Sequence, residues 1–397
     1  MASDGRPVAV LSMKVLHLGK FFPPAKGGME TILELICEGT SDHVENIVIV
    51  ANDRPHRLEE RSGPTRIIRS GSLLKIGAVS VCPAMPFSIA RQRADLTIIH
   101  EPNPMGLLSY VLAMPPGPLI VWFHSEVIRP EWQYRLFYRP LLQFALRRAA
   151  RIVVASPTLT RSAPELQGWQ SKCVVIPYGI DVRIETEGAR QRSDAIRAQH
   201  ANPILLFVGR LVRYKGVHIL LDAMRDLSAE AMIVGDGPER PALESQARAL
   251  GIGGRATFLG EVDAGELAAL YRACDVFVLP SITRQEAFGV VQLEAMAQGK
   301  PVVSTELQTG VSWVNRHEET GLVVPPGDAA ALGSALNRLL RDDSLRVSLG
   351  HAARRRVRSE FTVERMLEAT LALYREVSDG RSDRGGEPQA ADVGHVA

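Results

Sequence analysis

The stretch "PILLFVGRLVRYKGVHILLDAMRDL", residues 203–227, decides the fold class of this 397-residue chain. Its first eight residues form a short apolar run that predicts a buried β-strand. After a loop that begins and ends in glycine, the apolar residues of 216–227 recur at helical spacing. A buried strand, a short loop and an amphipathic helix are the repeating unit of a parallel α/β sheet.

The same alternation extends in both directions along the chain. Toward the C-terminus, strands are predicted at 231–238, 255–262, 275–281 and 300–305, and helices at 289–298 and 354–376. Toward the N-terminus, strands are predicted at 14–22, 45–52, 96–103, 119–125, 151–156 and 173–181, with a helix over 27–40. The polar stretch 183–202 separates the two series and predicts an inter-domain linker. The expected fold is therefore α/β, with two doubly wound parallel-sheet domains whose ligand would lie in the cleft between them.

Composition narrows the class of protein. A net charge of +2 is too small to indicate a nucleic-acid partner, and four scattered cysteines predict reduced thiols rather than zinc or disulfides. No apolar run reaches the roughly 18–20 residues that cross a bilayer, and the N-terminus lacks the layout of a signal peptide. We expect a cytoplasmic protein, which could start at Met1 or at Met13.

Two glycine-containing loops could bind anions. Gly27 and Gly28 precede a predicted helix, whose free N–H groups suit an anion, although an ordinary strand-to-helix turn explains them equally. Arg210 and Lys215 share one loop in "VGRLVRYKGV", and two cations there suit a diphosphate. The alternative is a solvated basic turn. Neither loop has the G-x-G-x-x-G spacing of a dinucleotide site, which disfavours a nicotinamide-dependent dehydrogenase.

The stretch "TRQEAFGVVQLEAM", residues 283–296, places Glu286 ahead of a helix and Glu294 within it. The backbone amides of Phe288, Gly289 and Val290 are expected to face the same space as Glu286. A carboxylate acceptor beside amide donors can hold sugar hydroxyls and phosphate oxygens together. The alternative is that Glu286 only complements the helix dipole and that Glu294 is an exposed helix residue.

His124 follows the apolar strand in "VWFHSE", and His100-Glu101 ends another strand. A histidine in such a position is either a hydrogen-bonded structural residue or a catalytic one, and the pattern alone leaves both open.

In combination these motifs resemble those of the retaining glycosyltransferase family 4, which has the two-domain, Rossmann-like GT-B fold. The E-x7-E element from Glu286 to Glu294 resembles its donor-site signature. Six further elements stand in the family order: the Gly-Gly loop, "FHS", "VIPYGID", "VGRLVRYKG", "GDGP" and "TGLVVPPGD". The resemblance covers residues 14 to about 375.

The resemblance implies a division of labour among these residues. Arg210 and Lys215 would hold the nucleotide diphosphate, assisted by Gly27-Gly28 and by the amides of 288–290. The other implied roles are sugar binding by Glu286, ribose binding by Glu294, contact with the anomeric carbon or the sugar 6-position by His124, and proximity of the base to Val262.

The resemblance also implies the domain organisation. Residues 1–182 would form the acceptor-side domain and 183–358 the nucleotide-sugar domain. A helix over 359–377 would cross back to the first domain, and the polar tail 378–397 is predicted to be disordered.

Three positions depart from the family pattern. Tyr178 stands where Asn is frequent, and Thr309 and Trp313 replace the Gly and Glu of a Gly-Gly-x-x-Glu element. The surrounding motifs resemble a mannosyl- and rhamnosyltransferase branch, which implies a GDP-linked sugar, with UDP as the other possibility.

The expected chemistry is metal-independent transfer with retention, without a cofactor. The relevant loops contain no D-x-D pair for Mg²⁺ and no carboxylate placed as a glycosidase nucleophile. The expected acceptor is a saccharide or a polyprenyl-linked saccharide. Two alternatives stay open: a same-fold enzyme with a small-molecule or sugar-phosphate acceptor, and a sugar-binding protein without catalysis.

The segment 127–151 carries six arginines, one glutamate and interleaved aromatic residues. Such an amphipathic segment can lie on an anionic membrane, which would suit a lipid-linked acceptor at the inner membrane face. A surface helix that packs its apolar side on the sheet explains the pattern equally.

Overall fold

A computed structural model of the chain describes residues 13–25, 27–76, 79–126, 132, 134–182 and 187–380. The chain folds as two units. Of the described residues, the first unit contains those up to Val154, Ala163–Val175 and those from Leu367 onward. The second contains Ala155–Ser162 and Ile176–Met366.

The first unit is built on an eight-stranded sheet of order β10-β9-β8-β7-β1-β2-β4-β3. Its strands are β1 Met13–Leu18, β2 Val44–Ala51, β3 Leu58–Ser62, β4 Thr65–Ser70, β7 Leu96–Glu101, β8 Leu119–Phe123, β9 Arg151–Val154 and β10 Cys173–Val175. All neighbours pair in parallel except β3 and β4 at one edge. A separate two-stranded ribbon joins β5, Leu74–Ile76, to β6, Val79–Val81.

Helices of this unit follow or connect the strands. They are α1 Gly28–Gly39, α2 Met85–Ala90, α3 Pro104–Ala113 and α4 Arg139–Arg148. Every residue of β7 and of β8 is buried, because a parallel sheet is covered on both faces. The unit thus has continuous apolar strands at its centre, and polar side chains within them are exceptions that need hydrogen-bond partners.

The second unit has a six-stranded, fully parallel sheet of order β13-β12-β11-β14-β15-β16. Its strands are β11 Ile204–Val208, β12 Glu230–Val234, β13 Ala256–Gly260, β14 Val276–Leu279, β15 Val302–Thr305 and β16 Gly321–Val324. Its helices are α5 Pro157–Ser162, α6 Glu187–Gln199, α7 Val217–Ala223, α8 Arg240–Ala249, α9 Ala264–Ala273, α10 Val290–Ala297, α11 Gly310–Val314, α12 Ala329–Arg341 and α13 Asp343–Glu360. The strand order reverses between β11 and β14, which makes this position the topological switch point.

The expected fold class is confirmed, two local predictions are wrong, and some strands were missed. The stretch 183–202 is not a simple linker, because it contains α6, whose Ala189, Ser193 and Ile196 form a buried stripe. α6 packs against α9, and Arg192 forms an ion pair with Glu266 at 2.6 Å. The charged residues of α6 outnumber its apolar ones. The composition of the stretch therefore indicated a linker, although three residues form a narrow buried stripe at helical spacing.

The other two corrections concern a pair of missed strands and a predicted helix that is divided in two. Strands β3 and β4 were not predicted, since β3 is an edge strand that is largely exposed. The single helix predicted at 354–376 is two helices, α13 and the final helix α14, Val363–Ser378, separated at Phe361-Thr362. α14 starts in the second unit, and its residues from Leu367 onward belong to the first. Among the described helices, none is both long and apolar enough to span a membrane.

Candidate active site

Two loops of the second unit follow the neighbouring strands on either side of the switch point. β11 leads into a 3₁₀ turn, Arg213–Lys215, and β14 leads into the loop that carries Glu286 and ends at α10. Because the carboxyl ends of parallel strands lie at the same edge of a sheet, these loops meet. The sheet topology thus brings together two motifs that are far apart in sequence.

Lys215 and Glu286 form a buried ion pair at this edge. Nζ of Lys215 lies 2.5 Å from Oε2 of Glu286, and only 12% and 10% of the two side chains are exposed. The hydroxyl of Ser281 donates to the same carboxylate oxygen at 3.0 Å. Burial by itself lowers the pKa of Lys215, but the Glu286 carboxylate and Tyr214 outweigh it and raise that pKa. Lys215 is therefore a charged ammonium in a largely dry position.

Arg210 behaves differently from Lys215 although both lie on one loop. Its side chain is exposed, and it forms no ion pair with any residue that the structure describes. The loop thus combines a buried cation, Lys215, with the long side chain of Arg210, whose guanidinium donors are exposed to solvent.

Glycine is required at the two turns that hold this pair. Gly216 has a φ of +71°, and a Cβ there would collide with the carbonyl oxygen of Pro280 at the end of β14. Gly289 also has a φ of +71° and is the N-cap of α10, where a Cβ would meet the side chain of Leu279. Both positions lie in the left-handed region and pack tightly, so the turns depend on glycine.

The N-terminus of α10 directly follows the loop that carries Glu286. The helix has no side-chain cap. Within the described residues, the amides of Phe288, Gly289 and Val290 donate no hydrogen bond. Unpaired amides at a helix start form a site for phosphate or carboxylate oxygens.

Three residues that depart from the family pattern contact the loop that carries Glu286. The Thr309 hydroxyl donates to the carbonyl oxygen of Glu286 at 2.8 Å. Tyr178 and Trp313 both pack on the ring of Phe288, with centroid distances of 4.9 and 6.4 Å. Tyr178 and Trp313 therefore form an aromatic cluster with Phe288, which is buried and offers its backbone rather than its side chain to a ligand.

Glu294 and Val262 are not part of the ion pair between Lys215 and Glu286. Glu294 is on α10, and burial raises the pKa of its carboxyl. Val262 is half-buried between β13 and α9. Since β13 is separated from β11 by β12, Val262 lies further along the edge than Lys215.

In the first unit, the Gly27-Gly28 turn begins α1, and the helix already has a carboxylate at its start. Glu30 is buried and lies over Gly27, where a Cβ would collide with its side chain. Burial raises the pKa of Glu30, while its own backbone amide and Lys20 oppose that rise. A phosphate at this turn would meet Glu30 as well as the amides, a feature that the glycines alone did not reveal.

His124 lies directly after β8 and is 6% exposed. Its Nε2 is 2.9 Å from Nδ1 of His100, and Nε2 of His100 is 3.1 Å from Nδ1 of His17. Sequence reasoning flagged His100 but not His17, although a lone polar residue within the apolar run "KVLHLGKFF" was the available signal. In the described ranges, no group of three or more His, Cys, Asp or Glu side chains is placed to hold a metal ion.

The two doubly wound parallel-sheet units match the GT-B class of glycosyltransferases, as the family models and the fold neighbours show. Family models agree over most of the chain: "Glycosyltransferase Family 4" matches residues 26–183 and "Glycosyl transferases group 1" matches residues 190–356. The chain belongs to this glycosyltransferase family and is a hexosyltransferase.

Relatives and fold neighbours agree with this assignment. The chain is 35% identical to the D-rhamnosyltransferase WbpZ of Pseudomonas aeruginosa, over 88% of this chain and 92% of WbpZ. It is 30% identical to the O-antigen chain mannosyltransferase C of Escherichia coli, over 93% and 100% of the two chains. The solved structure of Anabaena HepE in complex with UDP-glucose superposes with a TM-score of 0.72 at 21% identity, over 92% of this chain and 100% of HepE.

Proposed function

We propose that this protein is a retaining, metal-independent glycosyltransferase that moves a mannose- or rhamnose-type hexose from a nucleotide diphosphate sugar to a saccharide or polyprenyl-linked saccharide. The names of WbpZ and of the O-antigen mannosyltransferase support the sugar and a place in polysaccharide or glycolipid biosynthesis. The sequence resemblance to a mannosyl- and rhamnosyltransferase branch favours a GDP-sugar, whereas the UDP-glucose in HepE supports UDP as the second candidate.

The observation that carries the proposal is the Lys215–Glu286 pair beside the uncapped start of α10. An ammonium has three N–H donors, and its contact with Glu286 uses one of them. Lys215 can therefore bind a phosphate oxygen without leaving Glu286, while Arg210 closes on the diphosphate from solvent. The amides of 288–290 supply further donors.

This arrangement supports the leaving group electrostatically. As the bond from C1 of the sugar to the phosphate oxygen breaks, negative charge grows on the diphosphate and is offset by Lys215, Arg210 and the helix amides. Glu286 accepts from the sugar hydroxyls. The acceptor hydroxyl attacks C1 from the same face, and its proton passes to the departing phosphate oxygen, so the anomeric configuration is retained.

The remaining residues take positions around this centre in the proposal. Glu294 accepts from the ribose hydroxyls, and Val262 borders the base. Gly27-Gly28 and His124 belong to the first unit, and the roles that the sequence resemblance implies for them toward the diphosphate and the sugar stay predictions.

Donor identity and the role of Lys215 can be tested together. A panel of GDP-, UDP- and ADP-sugars is scored by ligand-induced thermal shift, and accepted donors are then assayed for transfer. Lys215→Ala should abolish the shift and the transfer, whereas Arg192→Ala should keep both, because Arg192 forms an exposed ion pair with Glu266 in the same unit. A Lys215→Ala protein that stayed folded and retained near-normal transfer would overturn the assignment.

Exposed aromatic residues and arginines between Trp132 and Arg148 bear on the acceptor. Trp132, Leu136, Phe137 and Phe144 expose 63, 64, 61 and 37% of their surface. Exposed arginines alternate with them, namely Arg135, Arg139, Arg147 and Arg148. Residues 127–131 and 133 of the predicted segment lie outside the described residues. Exposed aromatics among arginines favour peripheral contact with an anionic membrane, where a polyprenyl-linked acceptor would lie.

Flotation with liposomes of neutral or anionic composition tests this contact. Phe137→Ser should weaken binding to anionic liposomes, and added salt should weaken it further. Phe87→Ser is the matched control, since Phe87 is 68% exposed on α2 of the same unit. Equal flotation of both variants, or no flotation of the wild type, would contradict the membrane contact and favour a small-molecule or sugar-phosphate acceptor.

A further inference from the structure

A buried arginine on α13 lies against two aromatic rings of the second unit. Arg356 is 6% exposed, and its guanidinium carbon is 5.7 Å from the ring centroid of Trp313 and 5.3 Å from that of Phe361. The two rings are perpendicular, with their centroids 5.4 Å apart. Both distances from the cation lie within the roughly 6 Å over which an aromatic ring attracts a cation, and this attraction is strongest where water is excluded.

The guanidinium of Arg356 has few hydrogen-bond partners. Nη2 donates to the carbonyl oxygen of Trp313 at 3.1 Å and lies 3.2 Å from the carboxylate of Glu360. Nε is buried and has no hydrogen-bond partner among the residues that the structure describes. Burial lowers the pKa of Arg356 to about 10, although Glu360 opposes the shift, so the group is charged at pH 7. The faces of the two rings therefore contribute to stabilising this buried charge.

The same two rings pack on Phe288, next to the candidate donor site. The ring centroids of Trp313 and Phe361 are 6.4 and 6.2 Å from that of Phe288, which is 3% exposed. Phe288 directly precedes Gly289, the N-cap of α10. Arg356 is thus linked, through two of the rings on which Phe288 packs, to the residues that offer their amides at the start of α10.

A second link runs through the backbone of α11. At the start of this helix, the amide of Gly310 donates to the carbonyl oxygen of Ala287 at 2.8 Å. The hydroxyl of the preceding residue donates to the carbonyl oxygen of Glu286. At the other end of the helix, the carbonyl oxygen of Trp313 accepts from Arg356. Because α11 is only five residues long, a contact at its end constrains its start.

The helix that carries Arg356 is held at a separate point. α13 packs against α10, and the two backbones approach so closely that a Cβ on Gly350 would lie 2.0 Å from the carbonyl oxygen of Gly299. This contact does not involve the guanidinium. Loss of the guanidinium should therefore leave α13 in place while α11 and the loop that carries Glu286 become less ordered.

We propose that Arg356 is a positioning residue for the donor site, whose guanidinium holds Trp313, Phe361 and α11 so that the loop that carries Glu286 is ordered before the nucleotide diphosphate binds. The identity of that ligand rests on the proposed function. A ligand binds only the competent fraction of a conformational ensemble, so a less ordered loop weakens the apparent affinity but leaves the bound complex unchanged. The expected signature is a higher Kd and KM for the donor with little change in kcat.

Nucleotide binding and steady-state kinetics of the full chain test this signature. Arg356→Met keeps a long side chain but removes the charge. It should raise the Kd of GDP or UDP, whichever the wild type binds, and the KM of the matching sugar donor about 10-fold, with kcat within about threefold of the wild type. Arg356→Lys should restore most of the affinity, because an ammonium can also lie over the rings and donate to the carbonyl of Trp313.

Arg255→Met is the matched control. Arg255 directly precedes β13, at the end of the sheet opposite the candidate site, and donates to the carbonyl oxygens of Met224 and Arg225. The control should lose stability but keep the Kd and KM of the wild type. An equal rise of Kd in Arg255→Met and Arg356→Met would overturn the proposal, because the effect would then follow from general destabilisation.

A double-mutant cycle tests the route through Trp313. Trp313→Leu should also raise the Kd of the nucleotide. The double variant with Arg356→Met should lose clearly less affinity than the sum of the two single losses, because residues that act through one contact are not additive. Fully additive losses would contradict positioning through Trp313.

Hydrogen exchange tests the ordering of α11 without any ligand. The amide of Gly310 is protected by its bond to Ala287, so peptides that cover 306–315 should exchange faster in Arg356→Met than in the wild type, but not in Arg356→Lys or Arg255→Met. Unchanged exchange in Arg356→Met would overturn the proposal, and so would an unchanged Kd and KM. If Arg356→Met does not fold, Arg356→Gln, which is also uncharged, takes its place. If the wild type bound no nucleotide and transferred no sugar, the proposed function would fail, and the exchange comparison alone would decide whether Arg356 orders α11.

Discussion

Lys215 and Glu286, from loops after two adjacent strands, hold each other 2.5 Å apart in a position where little of either side chain is exposed. Neither can be removed without leaving the other charge buried and unpaired, which is the costly state of such a pair. The pair is therefore both a structural contact between the two loops and the charged centre of the candidate donor site.

Replacing Glu286 with Gln should show this double role. The variant keeps the size of the side chain but removes the charge that Lys215 faces. We expect kcat for sugar transfer to fall about 100-fold or more and the free energy of unfolding to fall by about 3 kcal/mol. Steady-state kinetics and urea unfolding measure the two effects.

Glu318→Gln is the control for that experiment, because Glu318 pairs with Arg338 on the surface of the same unit, with 54% and 51% of the side chains exposed. Exposed pairs contribute about 0–1 kcal/mol, so this variant should resemble the wild type. Similar losses in Glu286→Gln and Glu318→Gln would show that the pair has no special role.

Gly216→Ala should misplace Lys215. The new Cβ would meet the Pro280 carbonyl as well as adopt a φ of +71°. Gly251→Ala is a matched control, since Gly251 has the same φ with nothing within 4 Å of the added carbon. The control should cost about 1–2 kcal/mol of stability from its left-handed backbone alone. Gly216→Ala should cost more and also weaken donor binding, as measured by thermal unfolding and donor titration.

Thr309→Val should loosen the loop that presents Glu286. It keeps the shape of the side chain but removes the hydroxyl that donates to the Glu286 carbonyl at 2.8 Å. A buried carbonyl left without its donor costs about 1–3 kcal/mol, so we expect lower stability together with a higher KM for the donor. Thr309→Ser retains the hydroxyl and should rescue both. If Ser and Val behaved alike, the hydrogen bond would not be the cause.

The buried carboxyl group of Glu101 should make the free energy of unfolding depend on pH. Burial raises its pKa to about 7, although hydrogen bonds from Tyr138 and from the Asn103 amide oppose the shift. The folded state thus binds more protons than the unfolded state between about pH 4.5 and 7, and stability falls as pH rises through this window. The loss should total about 3 kcal/mol at most.

The comparison that isolates this effect is Glu101→Gln. Unfolding free energies of wild type and variant, measured from pH 5 to 8, should diverge as pH rises, with the wild type losing stability relative to Gln. Parallel curves would mean that Glu101 ionises without a burial penalty.

Much of the fold followed from local patterns. The strand, loop and helix of residues 203–227 predicted the parallel α/β class, and the observed β11 and α7 lie within that stretch. The helix predicted at 289–298 is α10, with Gly289 as its N-cap. Such elements are readable because burial of one face imposes a period on neighbouring residues. The helix α6 was not predicted, because only three of its residues, Ala189, Ser193 and Ile196, are buried and most of the others are charged or polar.

Local sequence patterns were enough to predict the glycine turns and the loops in which the candidate site residues lie. The partners of these residues depend on how the strands are arranged in the folded protein. Lys215 meets Glu286 because β11 and β14 are neighbours, and His124 meets His100 because β7 and β8 are aligned in register. Strand order and register arise from the long-range packing of whole sheets. The local sequence around these residues therefore cannot predict which of them meet.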